Sequence, residues 1–149
     1  MNWTYNNEEI ISIDQLPANA YGFIYMLVYN TNKAYIGQKQ LYSYQTLPAL
    51  KNGSQRPNSE RISHNKNGKR VYFDKVYKES NWKSYESSSK DIPTNAIIIE
   101  KQILAIAYDK RKLTYLEAKY LFCYETLESA DFYNRNILGK FYKKKELYE

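Results

Sequence analysis

From residue 22 to residue 29 the chain reads GFIYMLVY, and its side chains alternate. Ile24, Met26 and Val28 fall on one side, and Phe23, Tyr25, Leu27 and Tyr29 on the other. A two-residue period predicts a β-strand. Asn30-Thr31-Asn32-Lys33 has the chemistry of a turn, because Asn tolerates positive φ. Ala34-Tyr35-Ile36-Gly37 then restarts a strand, which makes a hairpin. With an odd number of loop residues, Tyr29 is expected opposite Tyr35 and Tyr25 opposite Lys39. Directly opposed residues share a face. Tyr25, Tyr29, Tyr35 and Lys39 are then expected on one face, with Gly37 leaving a hollow among them.

The rest of the chain is less regular. Residues 1–16 read as an N-terminal arm, with a possible edge strand in IISIDQLP that Pro17 ends. LYSYQTLPALKNG (41–53) suits a short helix broken by Pro48 and stopped by Gly53. Residues 52–70 are polar and basic and read as an exposed insertion. VYFDKVY (71–77) suits a short strand. Residues 81–93 are polar and Ser-rich, and Pro93 argues against a helix through them. AIIIEKQILAIAY (96–108) is rich in β-branched residues and reads as a long central strand, a buried helix being the alternative. TYLEAKYLFCYETLES (114–129) is the best helix. Thr114 stands at its N-cap, and Leu116, Tyr120, Cys123 and Leu127 form its buried stripe.

Charge adds a second layer. The chain of 149 residues has a formal net charge of +6 and 17 tyrosines. Residues 50–90 carry 10 Lys and Arg against 4 Asp and Glu, which accounts for the whole excess. A clustered basic segment suits phosphate, although a solvated basic surface has the same composition. A single cysteine, Cys123, excludes internal disulfides and multi-cysteine zinc sites and fits a reducing cytoplasm. The polar start of the chain is no signal peptide, and no apolar run is long enough to span a membrane. One histidine, His64, excludes two-histidine metal motifs within the chain. Phosphate-loop, dinucleotide and nucleophile-elbow motifs are missing. What remains is a face of hydroxyls with a lysine, a helix bearing Glu117, and basic loops. That set suits phosphodiester chemistry. A tyrosine beside a cation can help to deprotonate water, a cation can offset transition-state charge, and one carboxylate can hold Mg²⁺.

FIY at 23–25 and YIG at 35–37 resemble the paired signature of the GIY-YIG endonucleases. NWKSYESS (81–88), LTYLEAKYL (113–121) and FYNRNILGKF (132–141) are similar to blocks in small stand-alone bacteriophage members, so the resemblance covers residues 17–141. It implies a small α/β fold, with a three-stranded antiparallel sheet flanked by helices. It implies cleavage of double-stranded DNA with Mg²⁺ or Mn²⁺, in a homing-type or competitor-cutting role in the bacterial cytoplasm. It places Tyr25 and Tyr35 near the attacking water, makes Glu117 the metal ligand, and makes Asn134 a polar support. Phe23 stands where the family name has Gly, with Gly22 just before it. The arginine that many members carry on a first helix is missing from LPALK. The cationic role then falls to Lys39, or to Arg56, Arg61 or Arg70.

Structural rivals accompany each assignment. The tyrosines could be ordinary half-buried sheet residues. Thr114-x-x-Glu117 is a capping box, in which Glu117 would bond back to the cap. Trp82 and Tyr85 either stack on bases or clamp a loop to the sheet. Ser87 and Ser88 are candidate phosphate donors, joined in the DNA-binding set by Arg56, Arg61, Lys69, Arg70, Lys83 and Asn134. Lys143-Lys144-Lys145 belongs to an expected basic tail at 143–149. The expected organisation is one nuclease domain over 17–142 with a basic insertion at 50–90. A homodimer or an accessory DNA-binding partner would supply specificity that the domain lacks. The rival to an enzyme is a catalytically silent nucleic-acid-binding protein of the same fold.

Overall fold

The computed structural model describes residues 1–144, whose elements run in the order β1 (Trp3–Tyr5), β2 (Glu8–Ile10), a 3-10 turn (Ile13–Gln15), β3 (Gly22–Tyr29), β4 (Ala34–Gln40), β5 (Tyr42–Pro48), β6 (Ser59–Lys66), β7 (Lys69–Glu79), β8 (Ile98–Ala107), α1 (Lys110–Cys123), β9 (Asn136–Ile137) and β10 (Phe141–Tyr142). They divide into two compact units. One comprises Met1–Leu41 with the chain from Asn81 onward, and the other comprises Tyr42–Ser80. No helix among the described residues is long and apolar enough to cross a membrane.

The first unit is built on a five-stranded mixed sheet of order β2-β1-β8-β3-β4, with β1 and β8 parallel. This corrects the expected three-stranded sheet flanked by helices: among the described residues there is one α-helix. The extra strands come from residues 1–16. These do not form an arm, because an Asn6-Asn7 turn with both φ positive folds them into the β1–β2 hairpin. Trp3 is carried into the core at 0% exposure. Apolar burial outweighs the short length of these strands.

The two sheet faces differ. Ile24 and Ile36 pack with Ala107, Leu113, Leu121, Leu127 and Ile137 beneath α1. On the other face Trp3, Phe23 and Tyr25 form an aromatic layer, with Trp3 5.1 Å from Phe23 and 5.4 Å from Tyr25. Trp82 closes that layer, 6.3 Å from Phe23, and its carbonyl accepts the Trp3 indole N–H at 2.6 Å. Lys101 lies in the same layer, its ammonium 4.4 Å from the Trp3 ring and donating to the Lys83 carbonyl.

The helix starts four residues earlier than its sequence pattern suggests. Asp109 is the N-cap, its side chain accepting from the Lys112 N–H at 2.7 Å. At the other end Glu125 takes the left-handed conformation at φ 52°, while Glu125 N bonds Phe122 O and Thr126 N bonds Leu121 O. This is a Schellman stop. The inward stripe centres on the fully buried Leu113 and Leu121; Leu116 and Tyr120 are partly buried against the same core and Leu127 is buried in it, whereas Cys123 is exposed.

The second unit is a three-stranded antiparallel sheet of order β5-β7-β6. Here two expectations fail. Residues 42–48 form a strand instead of a helix, because their Tyr, Thr and Leu pair with β7 and Pro48 ends the ladder. Residues 59–70 form most of a hairpin instead of a loop. Its turn is Asn67-Gly68, with φ 52° and 79°, the primed geometry that suits the strand twist.

Candidate active site

The β3–β4 hairpin sets the tyrosines. The Tyr29 N–H donates to Lys33 O and the Asn32 N–H to Tyr29 O, leaving three loop residues with Asn32 at φ 64°. The loop is odd, as expected, but shorter. The register therefore pairs Phe23 with Lys39, Tyr25 with Gly37 and Leu27 with Tyr35. The expected partners Tyr29–Tyr35 and Tyr25–Lys39 are each displaced by two residues. A two-residue slip keeps parity, so Tyr25, Tyr29, Tyr35 and Lys39 still start on one face. A bulge in the β3–β8 ladder between Ile24 and Tyr25 adjoins this position.

Gly37 is not beside an empty hollow. A Cβ there would collide with the hydroxyl end of Tyr25, whose ring fills that space. Tyr35 lies next to it, ring centroids 6.4 Å apart. Tyr85 approaches Tyr25 edge-on at 6.0 Å, and the Lys39 ammonium rests 4.1 Å from the Tyr85 ring centroid. Lys39 is thus joined to the group through a cation–π contact.

Residues 81–97 bring serines to the phenols. Along this segment Trp82, Tyr85, Ser87 and Ser89 turn inward and Lys83, Glu86, Ser88 and Lys90 outward. The Ser87 hydroxyl lies near Tyr25 and Tyr35, and the Ser89 hydroxyl near Tyr35, close enough to favour the ionised phenols. Ser87 holds φ 72°, a conformation rare for a residue with a Cβ. Ser89 was not singled out in the sequence, and Ser88 is exposed instead.

Burial dominates the electrostatics. It pushes Tyr25 well above the ordinary phenol value, against the opposing influence of the nearby Ser87 hydroxyl. Tyr35 is also raised, first by burial, with Ser89 opposing and the charge of Glu117 adding to the rise. Glu117 lies between Leu113 and Leu121 on the inward stripe of α1, and burial alone raises its carboxyl to about 7. It is not a capping residue: Asp109 caps the helix, and Thr114 lies inside it.

Asn134 is buried, but both ends of its amide are taken up by strand β4. Its Oδ1 accepts from Ile36 N at 3.0 Å and its Nδ2 donates to Ile36 O at 2.8 Å. It therefore holds the edge strand that carries Tyr35. Trp82 is likewise a core residue, at 0% exposure. In the second unit Arg61 donates to the buried Asp74 at 2.6 Å, and Arg56 lies 3.4 Å from the same carboxylate. Both guanidiniums also bind carbonyls, of Ser54 and Pro48 respectively. Lys69 and Arg70 are exposed. Lys143 is tied to the carbonyls of Ser129 and Phe132 at 2.8 and 2.7 Å, unlike a solvated tail; Lys145 lies outside the described residues.

Residues 3–137 match the family described as "Putative endonuclease segE, GIY-YIG domain". The chain belongs to the GIY-YIG endonuclease family. No curated protein and no solved structure matches it. The match of this GIY-YIG chain begins at Trp3, so it includes the β1–β2 hairpin that completes the aromatic layer. No group of three or more His, Cys, Asp or Glu side chains is gathered for a metal among the described residues. Glu117 stands as a single buried carboxylate on α1, which packs against the Ile24–Ile36 face of the sheet; its link to the phenols on the other face is the effect of its charge on Tyr35. Burial, with no offsetting cation, governs its proton, and such an oxygen donor fits a hard divalent ion that keeps most of its waters.

Proposed function

We propose that this chain hydrolyses phosphodiester bonds of double-stranded DNA at the site formed by Tyr25, Tyr35, Lys39 and Glu117. The observation that carries the reading is the packing of Tyr25 against Tyr35 and Tyr85, at 6.4 and 6.0 Å between ring centroids, with the Lys39 ammonium 4.1 Å from the Tyr85 ring.

The tyrosines act as neutral phenols. Burial keeps their protons on, so neither serves as a phenolate base. Tyr25 instead orients the attacking water, accepting its hydrogen bond while Gly37 and Tyr85 hold the ring in its seat. Tyr35 positions a phosphate oxygen. The water oxygen bonds to phosphorus as the bond to the leaving ester oxygen breaks, and the water's proton passes through solvent to that leaving oxygen. Lys39, steadied on Tyr85, offsets the charge that grows on the phosphoryl oxygens. Glu117 is the residue that would hold Mg²⁺ or Mn²⁺, which supplies Lewis-acid stabilisation of the leaving oxygen. Basic residues of the second unit contribute non-specific attraction to the DNA backbone.

Nicking of supercoiled plasmid with Mg²⁺ tests this, comparing the native chain with Glu117→Ala and Tyr25→Phe. The native chain is expected to nick and both variants to lose most of the rate. If the native chain cuts no faster than Glu117→Ala while still binding DNA, the protein is a binding module that keeps the fold.

A further inference from the structure

The far end of the second unit is a two-stranded ribbon. The β5–β7 ladder finishes at Pro48↔Phe73, followed by one bond from Ala49 N to Tyr72 O. Beyond it β6 and β7 pair only with each other: Ser63↔Tyr72, His64↔Val71, Asn65↔Arg70 and Lys66↔Lys69. At the strand rise, these four pairs project by roughly 13 Å.

The ribbon's chemistry is one-sided. Residues 63–72 contain Lys66, Lys69 and Arg70 and no carboxylate. Ser63, Asn65, Arg70 and Tyr72 share one face, all exposed, with Arg70 leaning across to the Ser63 hydroxyl at 3.4 Å. On the opposite face His64 stacks on Phe73 at 4.7 Å. That contact steadies the ribbon from behind and leaves the Asn65–Arg70 pair facing solvent.

A major groove about 12 Å wide and 8.5 Å deep admits a two-stranded ribbon. Arg reads guanine and Asn reads adenine there through paired hydrogen bonds. We propose that the β6–β7 ribbon enters the major groove of duplex DNA and that Asn65 and Arg70 read adjacent base pairs. Lys66 and Lys69, at the tip and on the other face, reach phosphates. Arg56 and Arg61 stay on Asp74 and keep the ribbon's base rigid. The inference rests on the reading of duplex DNA as substrate. It makes this chain's own inserted unit the source of target preference, with no separate reading domain required.

The test is selection of a randomised duplex library by the full chain without Mg²⁺, followed by sequencing of the bound fraction. The native chain is expected to enrich a short motif containing G·C and A·T pairs. Arg70→Lys keeps the charge but not the fork, and should flatten the G preference by roughly 5- to 150-fold. Its salt dependence should match that of the native chain, since the number of charges is the same. Asn65→Ala should flatten the A preference alone. A featureless native library, or an unaltered motif in both variants, overturns the proposal and leaves the ribbon a phosphate grip. Mg²⁺-dependent cutting of the selected motif is scored separately. Unaltered preference shifts without cutting would sink the nuclease reading and not this one.

Discussion

Tyr25 lies directly across the ladder from Gly37, and its phenol occupies the volume that any side chain at 37 would need. The glycine of the second motif thus exists for the tyrosine of the first. Gly37→Ala should force the ring out of its seat. Overpacking of this kind costs about 1–3 kcal/mol. The expected result is a lower midpoint in thermal unfolding together with loss of nicking as severe as that of Tyr25→Phe. A Gly37→Ala chain that nicks normally would show that the ring has somewhere else to go.

Tyr25→Phe should reduce the nicking rate about 100-fold or more, in line with removal of a pre-positioned hydrogen-bonding group. Because burial raises both phenols, the pH–rate profile should show no tyrosine limb between pH 6 and 9 in either direction. Ser87→Ala removes the hydroxyl that lies near the two phenols and is expected to lower the rate while leaving DNA affinity within about two-fold. Single-turnover kinetics separate the two effects.

Glu117 carries a pH signature in both stability and activity. Its carboxyl is raised to about 7, so between the ordinary carboxylate range and pH 7 the folded chain keeps a proton that the unfolded chain gives up. The stability this proton represents is present at acid pH and lost as pH rises through 7. Glu117→Gln should therefore unfold at a higher temperature than the native chain at pH 8, by on the order of 2 kcal/mol, and the gap should close towards pH 5. Mg²⁺ favours the ionised carboxylate and should narrow the gap at pH 8. By the same argument, nicking at limiting Mg²⁺ should climb as pH rises through 7, with the midpoint moving lower as Mg²⁺ is increased.

Asn134→Ala would strip both amide bonds from the Ile36 backbone inside the protein. Unsatisfied buried backbone groups cost about 1–3 kcal/mol each. The variant is expected to be less stable and to lose activity because the strand bearing Tyr35 loosens. Asn134→Asp restores the acceptor and not the donor, and should fall between the two in a thermal melt.

The parity of the first hairpin was readable from its alternating residues, because a strand with one buried face fixes which side chains travel together. Its register was not: a three-residue loop and a five-residue loop leave the same parity, and only the Tyr29–Lys33 bond separates them. The long strand before the helix was legible from its β-branched run. The helix start was misplaced because Thr114-x-x-Glu117 mimics a capping box, and the true cap, Asp109, precedes three basic residues, Lys110, Arg111 and Lys112, without an apolar side chain. Placing the cap at Asp109 would have put Leu113, Glu117 and Leu121 on one stripe and marked Glu117 as a carboxylate forced inward. Ser89 was also within reach. In Tyr85-Glu86-Ser87-Ser88-Ser89 an extended chain sends every second residue the same way, so Ser87 pairs with Ser89 and not with Ser88. The β6 strand was hidden for a different reason. Both faces of its outer half are solvent-exposed, so no apolar alternation marks it, and only the Asn67-Gly68 turn betrays the hairpin.

The first and last strands of the inserted unit are neighbours, with Tyr42 registered against Glu79. Paired residues on adjacent antiparallel strands sit about 5 Å apart. Removing everything between them leaves ends that a very short linker can join. The insert is in this sense a cassette: a foreign hairpin with the same two anchor points could replace it without altering the covalent path of β3, β4, β8 or α1. Retargeting then becomes a matter of exchanging some forty residues rather than redesigning a nuclease.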